Sequence, residues 1–128
     1  MGEGRALEGW QFRPSEDPWV RIEPQRDRVR VRCGGALDGV IAAELREECA
    51  GLIERGFDRL VLDLRETTDI APAVVSTIAG VDSRARARGC RFSVAPGSGR
   101  VAATLRRAGL LGQLQLEGVP ETFLDWSR

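Results

Sequence analysis

The sequence predicts an α/β fold: a mixed β-sheet with helices packed against it, in the order β-β-α-β-α-β-α-β-α. Three observations carry this. Short apolar runs of strand type alternate along the chain with longer stretches whose apolar residues recur at helical spacing. Glycines stand where those helical stretches should stop, at Gly56 and Gly89. The length, 128 residues, suits one domain, which at this size buries roughly two-thirds of the surface its unfolded chain exposes.

Residues 1–18 carry Gly2, Gly4, Gly9, Pro14 and Pro18 without periodicity and read as an N-terminal arm, leaving 19–128 as the domain. Trp19-Val20-Arg21-Ile22 reads as a first strand, Pro24 to Asp27 as a turn, and Val29 to Cys33 as a second strand, the pair forming an antiparallel hairpin. Gly34-Gly35 should break that strand. A first helix follows from about Val40 to Arg55, with Ile41, Leu45, Cys49, Leu52 and Ile53 on one stripe and Glu44, Arg46, Glu47 and Glu48 off it. Leu60 to Leu64 is a continuous apolar run with one acid, the pattern of a central strand covered on both faces. Pro72 suits the first position of a second helix running to about Arg88. Cys90 to Val94 is the next strand, Pro96 to Gly99 a turn and Val101 to Ala108 a third helix. Leu114 to Leu116 is a short last strand, and Glu121 to Trp126 a terminal helical turn or two. Right-handed crossovers place parallel strands on either side of Leu60–Leu64.

Composition narrows the function. The apolar share of 42% and the charged share of 30% describe a folded globular chain rather than a disordered one. Nineteen basic residues meet 19 acidic ones, so there is none of the positive excess that a nucleic-acid reader or polybasic membrane binder shows. The chain has no His, which removes His-based acid–base chemistry, the Ser-His-Asp arrangement and every imidazole metal site. Cys33, Cys49 and Cys90 form no C-x-x-C pair and lie in apolar segments, so they read as buried reduced thiols. No apolar window reaches the roughly 18 residues that span a bilayer, and no apolar signal core stands at the start. The reading is a cytoplasmic protein without cofactor or metal. Pro96-Gly97-Ser98-Gly99-Arg100 looks superficially like a phosphate loop but lacks the Gly-Lys-Ser/Thr ending, and the chain has no Lys at all.

One family fits the order and spacing of these segments. Gly35-Ala36-Leu37-Asp38, then a helix, then Leu60-Val61-Leu62-Asp63-Leu64, then a turn into a helix ending Arg84-Ala85-Arg86-Ala87-Arg88-Gly89, resemble the sulfate transporter and anti-sigma factor antagonist (STAS) domain. Val101 to Leu111 is similar to that family's penultimate helix and turn, so the resemblance runs from about Val20 to Leu124. It implies a non-catalytic regulatory module that binds a protein partner, an ATPase-fold anti-sigma kinase or a related regulator, without nucleic acid and without membrane insertion. In bacterial members of this size, the kinase phosphorylates a Ser in an Asp-Ser-Ser-Gly motif at the start of the second helix. A gap-free count places that motif on Ala71, Pro72, Ala73 and Val74, so the phosphorylatable position is Ala73 and the hydroxyl is gone. A helix N-terminus tolerates a phosphate through its free N–H groups and dipole. Pro72 removes one of those donors as well. The alternative within the resemblance is the cytosolic accessory subunit of a membrane transporter of lipid-transport ABC type.

The resemblance and the helix pattern together mark Asp38, Pro72, Ala73, Val74, Ser76, Thr77 and Gly80 as the partner-binding residues. Val74, Ile78, Val81 and Ala85, with Val75 beside them, form the inward stripe of the second helix. Ala73, Ser76, Thr77, Gly80 and Ser83 form an outward face of small side chains. Gly80 costs about 1 kcal/mol relative to Ala in mid-helix, and close approach of a partner backbone is one reason to keep it; the plain alternative is an undemanding solvent face. A hydroxyl inside a helix is less open to a kinase than one at its start, which weighs against Ser76 or Thr77 as a displaced phosphosite. Asp38 reads as partner surface, as an N-cap of the first helix, or both. Asp63 in an apolar strand needs a cation, with Arg65 or Arg59 available. Asp69 reads as a cap or loop contact, and Arg84, Arg86 and Arg88 as cations at a helix C-terminus.

Overall fold

The computed structural model describes residues 17–97, 99–110 and 115–116. The proposed arm, apart from Asp17 and Pro18, and the terminal turns at Glu121 to Trp126 lie outside the described residues. The five strands are β1 (Trp19–Gln25), β2 (Arg28–Leu37), β3 (Arg59–Ile70), β4 (Arg91–Ala95) and β5 (Gln115–Leu116). They form one mixed sheet in the order β1-β2-β3-β4-β5, with β1 antiparallel and the rest parallel. Helices α1 (Gly39–Glu54), α2 (Pro72–Ala87) and α3 (Arg100–Arg107) make the three crossovers. Since every crossover moves one strand in the same direction, right-handedness puts all three helices on one face. The core confirms it. Ile41, Leu45 and Cys49 of α1, Val74 and Ile78 of α2, and Val101 and Leu105 of α3 share a single buried cluster with Val29, Val31, Leu60, Leu62, Phe92 and Val94 of the strands.

Two strands run longer than the sequence suggests. Gly34-Gly35 does not end β2, which continues to Leu37, and β3 continues past Leu64 to Ile70. The two extensions pair with each other, with register shifts between Arg32 and Gly34 and between Gly35 and Ala36. Gly35 has φ +79°, a conformation that costs glycine little, so the glycines form a bulge that bends the strand without stopping it. Gly34 is glycine for a different reason: a Cβ there would overlap the indole of its cross-strand neighbour Trp19. The guanidinium carbons of Arg21 and Arg32 lie 5.3 and 5.7 Å from the centroid of the Trp19 ring.

The face away from the helices is charged near β1. Glu23 of β1 takes Arg30 Nη2 at 2.6 Å and Arg32 Nη1 at 3.0 Å, and Arg32 reaches on to Glu66 of β3. Burial disfavours the charged form of Glu23, but the hydrogen bonds from Arg30 and Arg32 outweigh it and hold the carboxyl below its ordinary range. Asp63, 3% exposed, accepts from the Arg65 backbone N–H at 3.0 Å and lies 3.3 Å from Arg65 Nε, with Arg30 Nη1 at 3.8 Å. Its cation is therefore Arg65, one of the two residues the sequence offered, and Arg30 adds a second. The three cysteines are free and buried, and burial pushes their thiols up, Cys49 to about 12.

Candidate functional site

Asp38 caps α1: its Oδ1 accepts from the backbone N–H groups of Val40 at 3.1 Å and Ile41 at 3.0 Å. The carboxylate stays exposed, so capping and presentation to a partner are compatible. Helix α2 starts differently. Its N-cap is Ala71, which offers no side-chain acceptor, and Pro72 occupies the first helical position. Pro72 and Ala73 are exposed, so the start of α2 presents a ring and a methyl group where a hydroxyl motif would otherwise stand. Asp69 does not cap it: its Oδ1 accepts from Ile70 N at 2.9 Å and its Oδ2 lies 3.6 Å from Arg100 Nη1, a loop contact.

The helix pair α1–α2 forms an open groove lined by Gly39, Ala42, Ala43, Arg46, Ala73, Ser76, Thr77 and Gly80. Every lining residue except Arg46 is small, which is what lets the two backbones come together. Ser76 and Gly80 are exposed in it. Two residues assigned to the binding face are buried. Val74 is fully buried in the core, as its place on the inward stripe required. Thr77 is only 7% exposed, and its hydroxyl lies 3.5 Å from the Ala42 carbonyl. The helical pattern turned Thr77 away from the sheet correctly, but α1 covers that flank. A second groove between α2 and α3 is lined by Ile70, Pro72, Val75, Thr104, Arg107 and Ala108, and Ser76 lines both grooves.

Sequence reading overlooked Val40. It is 79% exposed, the one large apolar side chain left so open among the described residues, and it stands in the first turn of α1. The signal was present: Val40 falls on the flank of α1 otherwise carrying Glu44, Glu47 and Glu48, where an apolar residue gains nothing from the core. At the far end of the pair, Arg84 of α2 and its C-cap residue Arg88 reach Glu54 of α1 at 3.6 and 2.9 Å, while Arg86 reaches Asp82 within α2 at 3.0 Å. Among the described residues, no group of three or more Cys, Asp or Glu is placed to hold a metal ion. The groove and the helix start together present an exposed surface of small side chains.

A family model described as Mlab, STAS domain, matches residues 20–123. The chain belongs to the STAS domain family. No curated protein matches it. Among solved structures, it is similar to an anti-sigma factor antagonist from Mycobacterium paratuberculosis, with TM-score 0.75 and 16% identity over 89% of this chain and 97% of that one. The anti-sigma factor antagonist SpoIIAA in its unphosphorylated form gives TM-score 0.72 and 19% identity, covering 86% and 96%. A sulfate transporter family protein from Wolinella succinogenes gives TM-score 0.67 and 16% identity, covering 83% and 88%. At these identities the structural likeness shows the fold, in which α1 and α2 start just past the C-terminal ends of the adjacent parallel strands β2 and β3.

Proposed function

We propose that this STAS domain is a non-catalytic regulatory module of the anti-sigma factor antagonist type, working in the cytoplasm. It docks on a protein partner, an ATPase-fold kinase or a related regulator, through the start of α2 and the outer groove of α1 and α2. Exposed Asp38, Val40, Pro72, Ala73, Ser76 and Gly80 form the surface, and the buried Val74 and Thr77 hold it in shape. The observation that carries the reading is the exposed methyl of Ala73 on an uncapped helix start, at the position where the family's Ser would stand. A phosphate there would add about −1.5 to −2 charges to the docking face. SpoIIAA is known in both unphosphorylated and phosphorylated forms; this chain has no acceptor at that position and stays in one charge state there. Its docking is switched by something other than phosphorylation of residue 73, or is permanent.

The test is Ala73→Ser, offered with ATP to the partner kinase beside the natural chain. The reading predicts label at position 73 in the variant only. A variant left unlabelled, while a STAS protein bearing the Ser is labelled by the same kinase, contradicts it. The Mlab description of the matching family model favours a second reading, the cytosolic STAS accessory subunit of a transporter of lipid-transport ABC type. There the same surface would hold a transport ATPase permanently, and a phosphosite would serve no purpose.

A further inference from the structure

Given the docking site proposed above, on which this inference rests, we propose that the partner meets α2 with an acidic surface, its carboxylates standing on both sides of an uncharged strip. From Pro72 to Val81, α2 carries no charged residue. The exposed positions of that stretch are Pro72, Ala73, Ser76 and Gly80. The charge comes from the neighbouring helices, one cation from each side. Arg46 is the one charged residue lining the α1–α2 groove. Arg107 lines the α2–α3 groove, and its Nη2 lies 3.3 Å from Thr104 Oγ1 in the same lining. Asp69 lines that groove too, but its carboxylate is engaged by Ile70 N at 2.9 Å and by Arg100 Nη1 at 3.6 Å.

Other arginines of this chain meet carboxylates of its own. Arg30 and Arg32 take Glu23, Arg65 takes Asp63, Arg84 and Arg88 take Glu54, and Arg86 takes Asp82. Arg46 and Arg107 are exposed, and among the described residues no carboxylate forms an ion pair with either. The acids of α1 leave this charge uncancelled. Asp38 turns its carboxylate to the N–H groups of Val40 and Ile41, and Glu44, Glu47 and Glu48 line neither groove.

Two cations flanking a neutral strip set the sign of what can cover it. A basic or apolar surface laid there would desolvate both guanidinium groups without compensation. Carboxylates opposite them would form charge-assisted, bidentate pairs and hold the partner in one register. The same sign accounts for the cost expected of a carboxylate at position 73, which would face acids of the partner.

The chain contains no Lys, so Arg46→Lys or Arg107→Lys introduces its one side-chain amine. A water-soluble carbodiimide activates a carboxylate, and an amine in contact with it displaces the urea to leave an amide. Each full-length variant is treated with the reagent in a lysate of the native cells, and mass spectrometry maps the joined peptides. Arg106→Lys, exposed on α3 but lining neither groove, is the control. The amines at positions 46 and 107 should join Asp or Glu side chains of one and the same partner protein, at least ~10-fold more often than the amine at 106. Joining only to this chain's own carboxylates, joining to a second copy in a mixture of isotopically heavy and light chains, or joining no more often than at 106 overturns the proposal. In a titration of the joined partner, Arg46→Glu with Arg107→Glu should lower affinity at least ~10-fold; unchanged or raised affinity overturns it as well. Ala73→Asp in the same titration separates the two readings. If Ala73→Asp alone weakens binding, the docking site stands and the acidic partner falls; if it alone has no effect, the start of α2 is not the docking site.

Discussion

Gly34 and Trp19 face each other across β1 and β2, and the indole fills the space a Cβ would take. Gly34→Ala should cost about 1–3 kcal/mol by forcing the ring aside. The cost should be much smaller in a Trp19→Ala background, because contacting residues are not additive; urea melts of the four chains check this. Asp63 is buried, accepts from the Arg65 backbone N–H and pairs with Arg65 and Arg30; because Arg30 keeps Glu23 and Arg65 is half exposed, Asp63→Ala should cost about 1–3 kcal/mol, chiefly through the lost hydrogen bonds. Glu23 gives a pH dependence with a definite sign. Its folded carboxyl is held below the ordinary range, against burial, by Arg30 and Arg32. The stabilisation it supplies is thus present above its unfolded pKa and is lost as pH falls through the folded value. The stability gap between the natural chain and Glu23→Gln, read by melts from pH 7 down to pH 3, should narrow as the solution is acidified.

Helix α2 separates stability from binding at one position. A Cβ at Gly80 meets nothing within 4 Å, so Gly80→Ala should raise stability by about 0.5–1 kcal/mol through helix propensity alone. Gly80→Leu should leave the melt close to that of the natural chain but fill the groove and weaken partner binding, which a titration against the partner would detect. Most element positions were legible because periodicity records which face meets the sheet: the stripes on α1 and α2 and the apolar run of β3 are buried as read. What was missed depends on neighbours distant in sequence. The continuation of β2 through Gly34-Gly35 needs the far end of β3 as its partner, and no local pattern records that pairing. The burial of Thr77 has the same origin, since helical spacing locates the sheet but not the adjacent helix. Of the surface itself, Asp38, Pro72, Ala73, Ser76 and Gly80 were placed outward from sequence, while Val40 had to be seen exposed.

Taken as one body, the domain buries its chemistry and displays little. With Cys33, Cys49 and Cys90 buried and their thiols pushed up, the native protein should react negligibly with a thiol reagent at pH 8. All three should titrate in denaturant, and fast native reaction of any of them would contradict this packing. One edge of the molecule stays chemically simple, where the starts of α1 and α2 present Val40, Pro72 and Ala73 around an uncapped helix end. The central claim is that this edge is where the partner sits. Its most direct test is affinity capture from a lysate of the native cells with the natural chain and Ala73→Asp as baits, followed by titration of the captured partner against both. The account predicts that an ATPase-fold kinase or sigma regulator is held by the natural chain and that affinity falls by at least ~10-fold with the added charge, the effect of roughly 1.4 kcal/mol. Equal affinity for both baits would contradict it and place the partner elsewhere on the domain.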